Sequence, residues 1–196
     1  DFGFGQYSDV DFGGEAKGKL EEASQWVESE LITRGFGQGF TATPLQVALG
    51  FGALVNGGYL MKPILVDRIK HSDGSVELYE PERIQRVISE EVSRTIRSML
   101  YSTVKRGTGR GTRIAGYSVL GKTGTSQTYK NGKVLTGVGT TIATFAGMAP
   151  IENPEFVILV KYDYPKSSQW GSETAARTFR KVAGFLFEYL SIPPDQ

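Results

Sequence analysis

The stretch Gly116-Tyr117-Ser118-Val119-Leu120-Gly121-Lys122-Thr123-Gly124-Thr125-Ser126-Gln127 admits two readings, which put the same lysine in different folds. Gly116 to Thr123 satisfies G-x-x-x-x-G-K-[ST] letter for letter. A phosphate-cradling loop of that pattern needs an apolar strand before its first glycine and a helix opening at its Lys-Thr. Upstream stands Arg110-Gly111-Thr112-Arg113-Ile114-Ala115, a poor buried strand, and downstream the chain soon reaches Asn131-Gly132, a turn signal. The loop's own residues, Tyr117 to Leu120, read as strand. On a strand running Tyr117 to Thr125, side chains alternate between faces, so Thr123 and Thr125 share one face and Lys122 and Gly124 the other. Two hydroxyls on one face suit a carboxylate. The Lys122 ammonium, on a low-dielectric floor that Gly124 leaves unobstructed, suits the polarisation of a nucleophile or proton carrier. A Thr-rich edge strand with a surface lysine is the plainer alternative.

Two further strands follow, Thr141 to Ala149 and Phe156 to Asp163. Asn131-Gly132 sits in the first connection and Glu152-Asn153-Pro154 in the second, both short, so an antiparallel meander is expected. A helix from about Ser172 to Leu190 comes next, with Ala175, Ala176, Phe179, Val182, Ala183, Leu186 and Leu190 on one stripe and Ser191-Ile192-Pro193-Pro194 as its stop. Upstream, Ser89 caps a helix carrying Val92, Ile96, Met99, Leu100 and Val104, with Lys105-Arg106 in its last turn and Gly107 beyond. An earlier helix starts at Thr43-Pro44 and stops at Asn56-Gly57-Gly58, and it is apolar on almost every side, which predicts burial. Val66 to Lys70 and Val76 to Tyr79 form a hairpin around His71-Ser72-Asp73-Gly74, while residues 1–40 read as Gly-rich surface loops with short pieces of structure. The pattern predicts an α+β fold, an antiparallel sheet covered by helices.

Composition excludes several function classes. The 196 residues carry 22 Lys plus Arg against 21 Asp plus Glu, a net charge of +1, so nothing points to nucleic acid. There is no Cys and a single His71, which leaves no thiolate or histidine metal site and no Ser-His-Asp triad; no cofactor or metal is expected. His71 reads as a surface residue. No apolar run is long enough to span a membrane.

The Lys122-Thr123-Gly124 tripeptide matches the K-T-G element of serine-acylating penicillin-recognising enzymes. Other passages agree, in order: Phe2-Gly3-Phe4-Gly5, Gly14-Glu15-Ala16-Lys17-Gly18, Gly35-Phe36-Gly37-Gln38-Gly39, Thr43-Pro44-Leu45-Gln46, Asn56-Gly57-Gly58, Gly107-Thr108-Gly109, Gly121 to Gln127, Phe145-Ala146-Gly147-Met148-Ala149-Pro150 and Ile192-Pro193-Pro194-Asp195. Across nearly its whole length the chain resembles class B penicillin-binding proteins, the monofunctional D,D-transpeptidases. The Gly35 to Gln46 region looks closer to division-type members than to elongation-type ones.

The resemblance implies the fold shared by penicillin-recognising serine transpeptidases and β-lactamases. Residues 1–196 would be the C-terminal portion of the transpeptidase domain, without the S-x-x-K and S-x-N segments that normally precede Phe2-Gly3-Phe4-Gly5. Ser102-Thr103-Val104-Lys105 spells S-x-x-K but closes a helix downstream of the nucleophile's place, and Ser72-Asp73-Gly74 is a hairpin turn. The chain alone is therefore expected to be inactive and, because the family sheet has earlier strands, weakly stable by itself.

By the same resemblance Lys122 lines the floor of the site, and Thr123, Gly124 and Thr125 bind the terminal carboxylate of a D-Ala-D-Ala stem peptide or of a β-lactam. The Thr125 N–H supplies one oxyanion-hole donor. Trp170 borders the cleft or packs a loop, Tyr129 borders it or sits solvated in a hairpin, and Trp26 packs locally. Peptidoglycan stem peptides, β-lactams as covalent inhibitors and cell-division proteins are the implied partners. The implied location is the extracytoplasmic side of the cytoplasmic membrane, anchored by a segment upstream of Asp1. A non-catalytic interaction module on the same scaffold, and a β-lactamase or β-lactam sensor, are the alternatives.

Overall fold

Thr43 caps its helix as the sequence predicts, and the cap reaches further than the sequence shows. The structure, a computed structural model, describes residues 1–196, which divide into two compact units, Asp1–Glu90 and Glu91–Gln196. The first holds α1 (Glu28–Gly35), α2 (Pro44–Val55) and four short strands, β1 (Tyr59–Met61), β2 (Arg68–Lys70), β3 (Val76–Leu78) and β4 (Arg83–Arg86). The Gln46 N–H donates to the Thr43 hydroxyl at 3.1 Å and the Thr43 N–H to the Gln46 side-chain carbonyl at 3.0 Å, a reciprocal capping box. Gln46 is buried, and its amide nitrogen reaches the carbonyls of Gln6 at 2.6 Å and Lys17 at 2.9 Å. With a longer bond to the Gly3 carbonyl at 3.3 Å, one side chain thus ties the Gly3–Gln6 and Gly14–Gly18 loops to the start of α2. A buried amide this well bonded is worth more than its individual bonds.

One expectation for this unit needs correction, and two elements, α1 and the β1–β4 pair, go beyond what the sequence specified. The sides of α2 are not all buried: Gln46, Gly50, Ala53 and Val55 are, while Leu45, Val47, Leu49 and Phe51 are half-buried. One helix, two ribbons and loops supply too little mass to wrap it within this unit. Residues 1–40 contain α1, whose Leu31 and Ile32 are exposed, so it has no core-facing stripe to announce it. It is held instead by the Val27 N–H on the Glu30 carboxylate and by Arg34, whose guanidinium lies 4.5 Å from the Trp26 ring centre and bonds Glu21 at 2.6 Å. Trp26 accordingly packs locally, its indole N–H on the Glu21 carbonyl at 2.8 Å. The β1–β4 pair was also not visible in the sequence, being three or four residues a side and joined by a long excursion. The β2–β3 hairpin is where it was expected, fully exposed, with the Asp73 carboxylate accepting from the Ser75 amide and hydroxyl and His71 at the surface.

The second unit places α3 (Glu90–Arg106), a three-stranded antiparallel sheet in the order β5 (Leu120–Gln127), β8 (Thr141–Ala149), β9 (Phe156–Asp163), and α4 (Ala175–Tyr189). A two-residue ribbon, β6 (Tyr129–Lys130) and β7 (Lys133–Val134), turns through Asn131 and Gly132, both with positive φ. The register puts Gly121, Thr123 and Thr125 on the same face as Gly147, Phe145 and Ala143, the face on which α4 packs over β8 and β9, leaving Thr123 and Thr125 half-buried. There Phe145, Phe179 and Phe187 are buried with Ala175, Ala176 and Ala183, each ring worth about 1.5–3 kcal/mol of removed apolar surface. The glycines are part of this packing: a side-chain carbon at Gly121 would overlap the Phe145 ring, and one at Gly147 the Phe179 ring.

Differences from expectation are local. The buried line of α4 runs Ala175, Phe179, Ala183, Phe187, and Val182 and Leu190 are exposed, because a stripe of period 3.6 follows steps of four here. On α3 the buried residues are Ser93, Leu100 and Val104, with Val92 and Met99 exposed. Strand β5 begins at Leu120 rather than Tyr117. Gly116 turns at φ 84°, Tyr117 stacks on Phe187 at 3.7 Å, and Ser118 is taken by Asp195, whose carboxylate accepts from the Ser118 amide at 2.7 Å and from its hydroxyl. These three residues are committed to the C-terminal segment and cannot pair with β8.

Candidate active site

Strand β5 has β8 on one side and no strand on the other. Its eight residues pair in unbroken register with β8, from Leu120 opposite Met148 to Gln127 opposite Thr141. The phosphate-loop reading therefore fails, since Lys122 lies mid-strand and opens no helix. The Thr103 hydroxyl of α3 reaches the Gly121 carbonyl, and the Thr123 carbonyl accepts from the Lys122 ammonium at 2.8 Å. Both carbonyls thus face away from β8. In an antiparallel strand the N–H and C=O of one residue point the same way and alternate residues repeat the direction. The Thr125 N–H therefore also points out along the open edge.

The two threonine hydroxyls each have a partner behind them. Thr108, between Gly107 and Gly109, has its hydroxyl 2.8 Å from that of Thr123. The Gly171 N–H donates to the Thr125 hydroxyl at 3.3 Å. Gly171 lies so close over the sheet that a side-chain carbon there would overlap the carbonyls of Thr144 and Gly124. Gly124 has its own steric reason, because a side chain would run into the Thr144 hydroxyl opposite it. Trp170, next to Gly171, is half-exposed, and its carbonyl takes the Thr174 hydroxyl at 2.8 Å and the Thr174 amide at 3.2 Å at the start of α4. Its backbone anchors the loop to α4.

Lys122 departs from expectation. It is exposed, and its ammonium folds back onto the neighbouring Thr123 carbonyl. On its face Gly124 and, opposite Lys122 itself, Ala146 are small, and the buried Leu120 and Met148 lie one step toward the strand start, leaving the ammonium exposed in this unit. A cavity of about 410 Å³ in this unit is lined by residues such as Tyr101, Arg113, Tyr117 and Gln196 and does not include residues 122–125.

Ser102 and Lys105 are both exposed on the last turns of α3. The Lys105 ammonium lies 5.5 Å from the centre of the Tyr101 ring, and Arg113 closes the helix instead, donating to the Val104 and Lys105 carbonyls at 3.2 and 2.6 Å. Tyr129 is an exposed hairpin residue. Thr103, Thr108 and Gly171 are the site residues that sequence reasoning missed. Thr108 lies in Gly107-Thr108-Gly109, but nothing in a linear sequence says that its hydroxyl meets Thr123.

Residues 1–184 match the penicillin binding protein transpeptidase domain family. The chain is 40% identical to stage V sporulation protein D of Bacillus subtilis over 99% of its own length, and 30% identical over its whole length to the probable peptidoglycan D,D-transpeptidase PenA of Neisseria meningitidis. It covers 30% and 32% of those two proteins. Among solved structures it superposes on penicillin binding protein 3 of Mycobacterium tuberculosis in complex with ampicillin, with a TM-score of 0.88 and 32% identity, covering 99% of this chain and 45% of that one.

Proposed function

Because the chain belongs to the penicillin-binding protein transpeptidase domain family, in its class B branch, we propose that it supplies the substrate-binding strand of a serine D,D-transpeptidase that cross-links peptidoglycan stem peptides. The observation that carries this reading is the open edge of β5, where the outward Thr125 N–H and the hydroxyls of Thr123 and Thr125 are offered together. An extended peptide laid along such an edge gains main-chain hydrogen bonds. Its terminal carboxylate meets the two hydroxyls.

In this account a serine upstream of Asp1 attacks the carbonyl between the two terminal D-alanines. Negative charge develops on that carbonyl oxygen, and the Thr125 N–H is one of its donors. Collapse of the tetrahedral intermediate breaks the C–N bond, D-alanine leaves with a proton on its nitrogen, and the acyl group stays on the serine as an ester. The amine of a neighbouring stem peptide then attacks that ester, forming the cross-link and returning the proton to the serine. Lys122 contributes a positive charge close to these proton transfers. Trp170 borders the bound peptide, and β-lactams enter by the same route, their carboxylate on the two threonines. Residues 1–196 are the C-terminal portion of the domain. The division-type role, with cell-division proteins as partners, and the extracytoplasmic location belong to the same proposal.

Labelling with a fluorescent penicillin tests it. The full-length protein should label covalently, and residues 1–196 alone should not. A full-length protein that stays unlabelled would replace this reading with a non-catalytic module on the same scaffold. Labelling of residues 1–196 that Ser102→Ala abolishes would move the nucleophile to α3.

A further inference from the structure

The geometry points to Thr108 as a positioning residue for ligand recognition: it donates to the Thr123 hydroxyl and thereby turns the Thr123 O–H proton toward the bound carboxylate. The inference rests on the transpeptidase reading of β5.

A threonine hydroxyl has one proton and two lone pairs. With Thr108 and Thr123 hydroxyls 2.8 Å apart, one donates to the other. A carboxylate accepts hydrogen bonds and donates none, so once it is bound at Thr123 the only complete arrangement runs Thr108 to Thr123 to carboxylate. A hydroxyl that accepts one hydrogen bond becomes a better donor in the next. Thr125 is arranged the same way by a different group, since its oxygen accepts from the Gly171 N–H at 3.3 Å and its own proton is left to donate. Each hydroxyl that meets the ligand therefore has a donor behind it, one a side chain and one a backbone amide.

The position of Thr108 is fixed by its surroundings. The amides of Gly107 and Gly109 both donate to the Thr103 carbonyl, at 3.0 and 3.1 Å, and the Gly109 carbonyl takes the Thr112 amide at 2.9 Å and its buried hydroxyl at 2.7 Å. Thr103 in turn reaches the Gly121 carbonyl with its own hydroxyl. The loop after α3 is thus bonded on both sides of Thr108, and the same helix end is bonded to β5. Side chains at Gly107 or Gly109 would press on the Thr103 backbone, which accounts for glycine on both sides. Such preorganisation keeps the donor in place before the ligand arrives.

The test uses the full-length protein with Thr108→Val, which keeps the shape and removes the hydroxyl, and Thr108→Ser, which keeps the hydroxyl. The second-order acylation rate is measured with benzylpenicillin and with its methyl ester, whose carboxylate is masked. Thr108→Val should slow acylation by the free acid roughly threefold to tenfold, the worth of one hydrogen bond. It should leave the ester rate unchanged, and Thr108→Ser should restore the free-acid rate. Equal slowing of acid and ester, a Thr108→Val rate equal to wild type, or no rescue by serine would each overturn the inference. Failure of the wild-type protein to acylate at all would instead remove the transpeptidase reading on which it rests.

Discussion

The Gly171 N–H and the Thr125 hydroxyl, 3.3 Å apart, join the start of α4 to the open strand of the sheet. Any side chain at residue 171 would overlap the carbonyls of Gly124 and Thr144. Gly171→Ala should therefore lift the Gln169–Thr174 loop off β5 and leave Thr125 without its donor. We expect about 1–3 kcal/mol lower stability, as for overpacking, measured by urea unfolding of the full-length protein, with penicillin acylation reduced about tenfold or more. A variant as stable and as quickly acylated as wild type would show that the loop is free to move.

The covered face of the sheet makes a second, purely structural prediction. Phe179→Ala should cost about 3–5 kcal/mol, and Gly147→Ala about 1–3 kcal/mol, because the ring occupies the space over Gly147. The pair is in contact, so the double variant should be less unstable than the sum of the two. Thermal unfolding of the four proteins gives the coupling. Strict additivity would mean that the ring does not rest on the glycine.

Asp195 should matter to the strand that it does not touch. It bonds both the amide and the hydroxyl of buried Ser118, just before β5, and the Ser118 hydroxyl accepts the Ile151 amide at 2.9 Å. Asp195→Ala leaves buried donors unpaired and should cost about 1–3 kcal/mol, whereas Ser118→Ala should cost less in the Asp195→Ala background than in wild type. Urea unfolding would check both. Equal costs in the two backgrounds would mean that the side chains are not coupled.

A pH prediction comes from Glu21. The hydrogen bond from its own backbone amide and then that from Lys19 hold its carboxyl below the usual value, against an opposing effect of burial, with the charges of Lys19 and Arg34 adding least. A group whose pKa is lower folded than unfolded stabilises the fold fully above its unfolded value and loses that contribution as pH falls through the folded one. The ion pairs of the Glu21 carboxylate with Lys19 and Arg34 should therefore persist to below the ordinary glutamate range and loosen only in more acid solution. Carboxyl carbon NMR of Glu21 would follow it. A midpoint at or above the unfolded value would contradict the arrangement.

Much of this was legible in the sequence because it rests on short-range signals. Thr43-Pro44 states its own helix start, Asn131-Gly132 its turn, and the runs 141–149 and 156–163 their strands with the bounds found. Lys122, Thr123, Gly124 and Thr125 fell on an extended strand with the alternation expected of them. What was not legible depended on residues far apart in the chain. Asp195 draws Ser118 out of the strand across 77 residues, Gln46 collects loops 29 and 40 residues away, and Thr108 meets Thr123. The exposure of Lys122 belongs with these, since whether a strand face is floored depends on the elements packed against it, not on its own letters.

The most direct test of the account is a crystal structure of the full-length protein acylated by ampicillin. It should show the ampicillin carboxylate within hydrogen-bond distance of the Thr123 and Thr125 hydroxyls, and the acyl carbonyl oxygen at the Thr125 N–H. A bound ligand whose carboxylate lies away from residues 123–125, or an acyl group on Ser102, would contradict it.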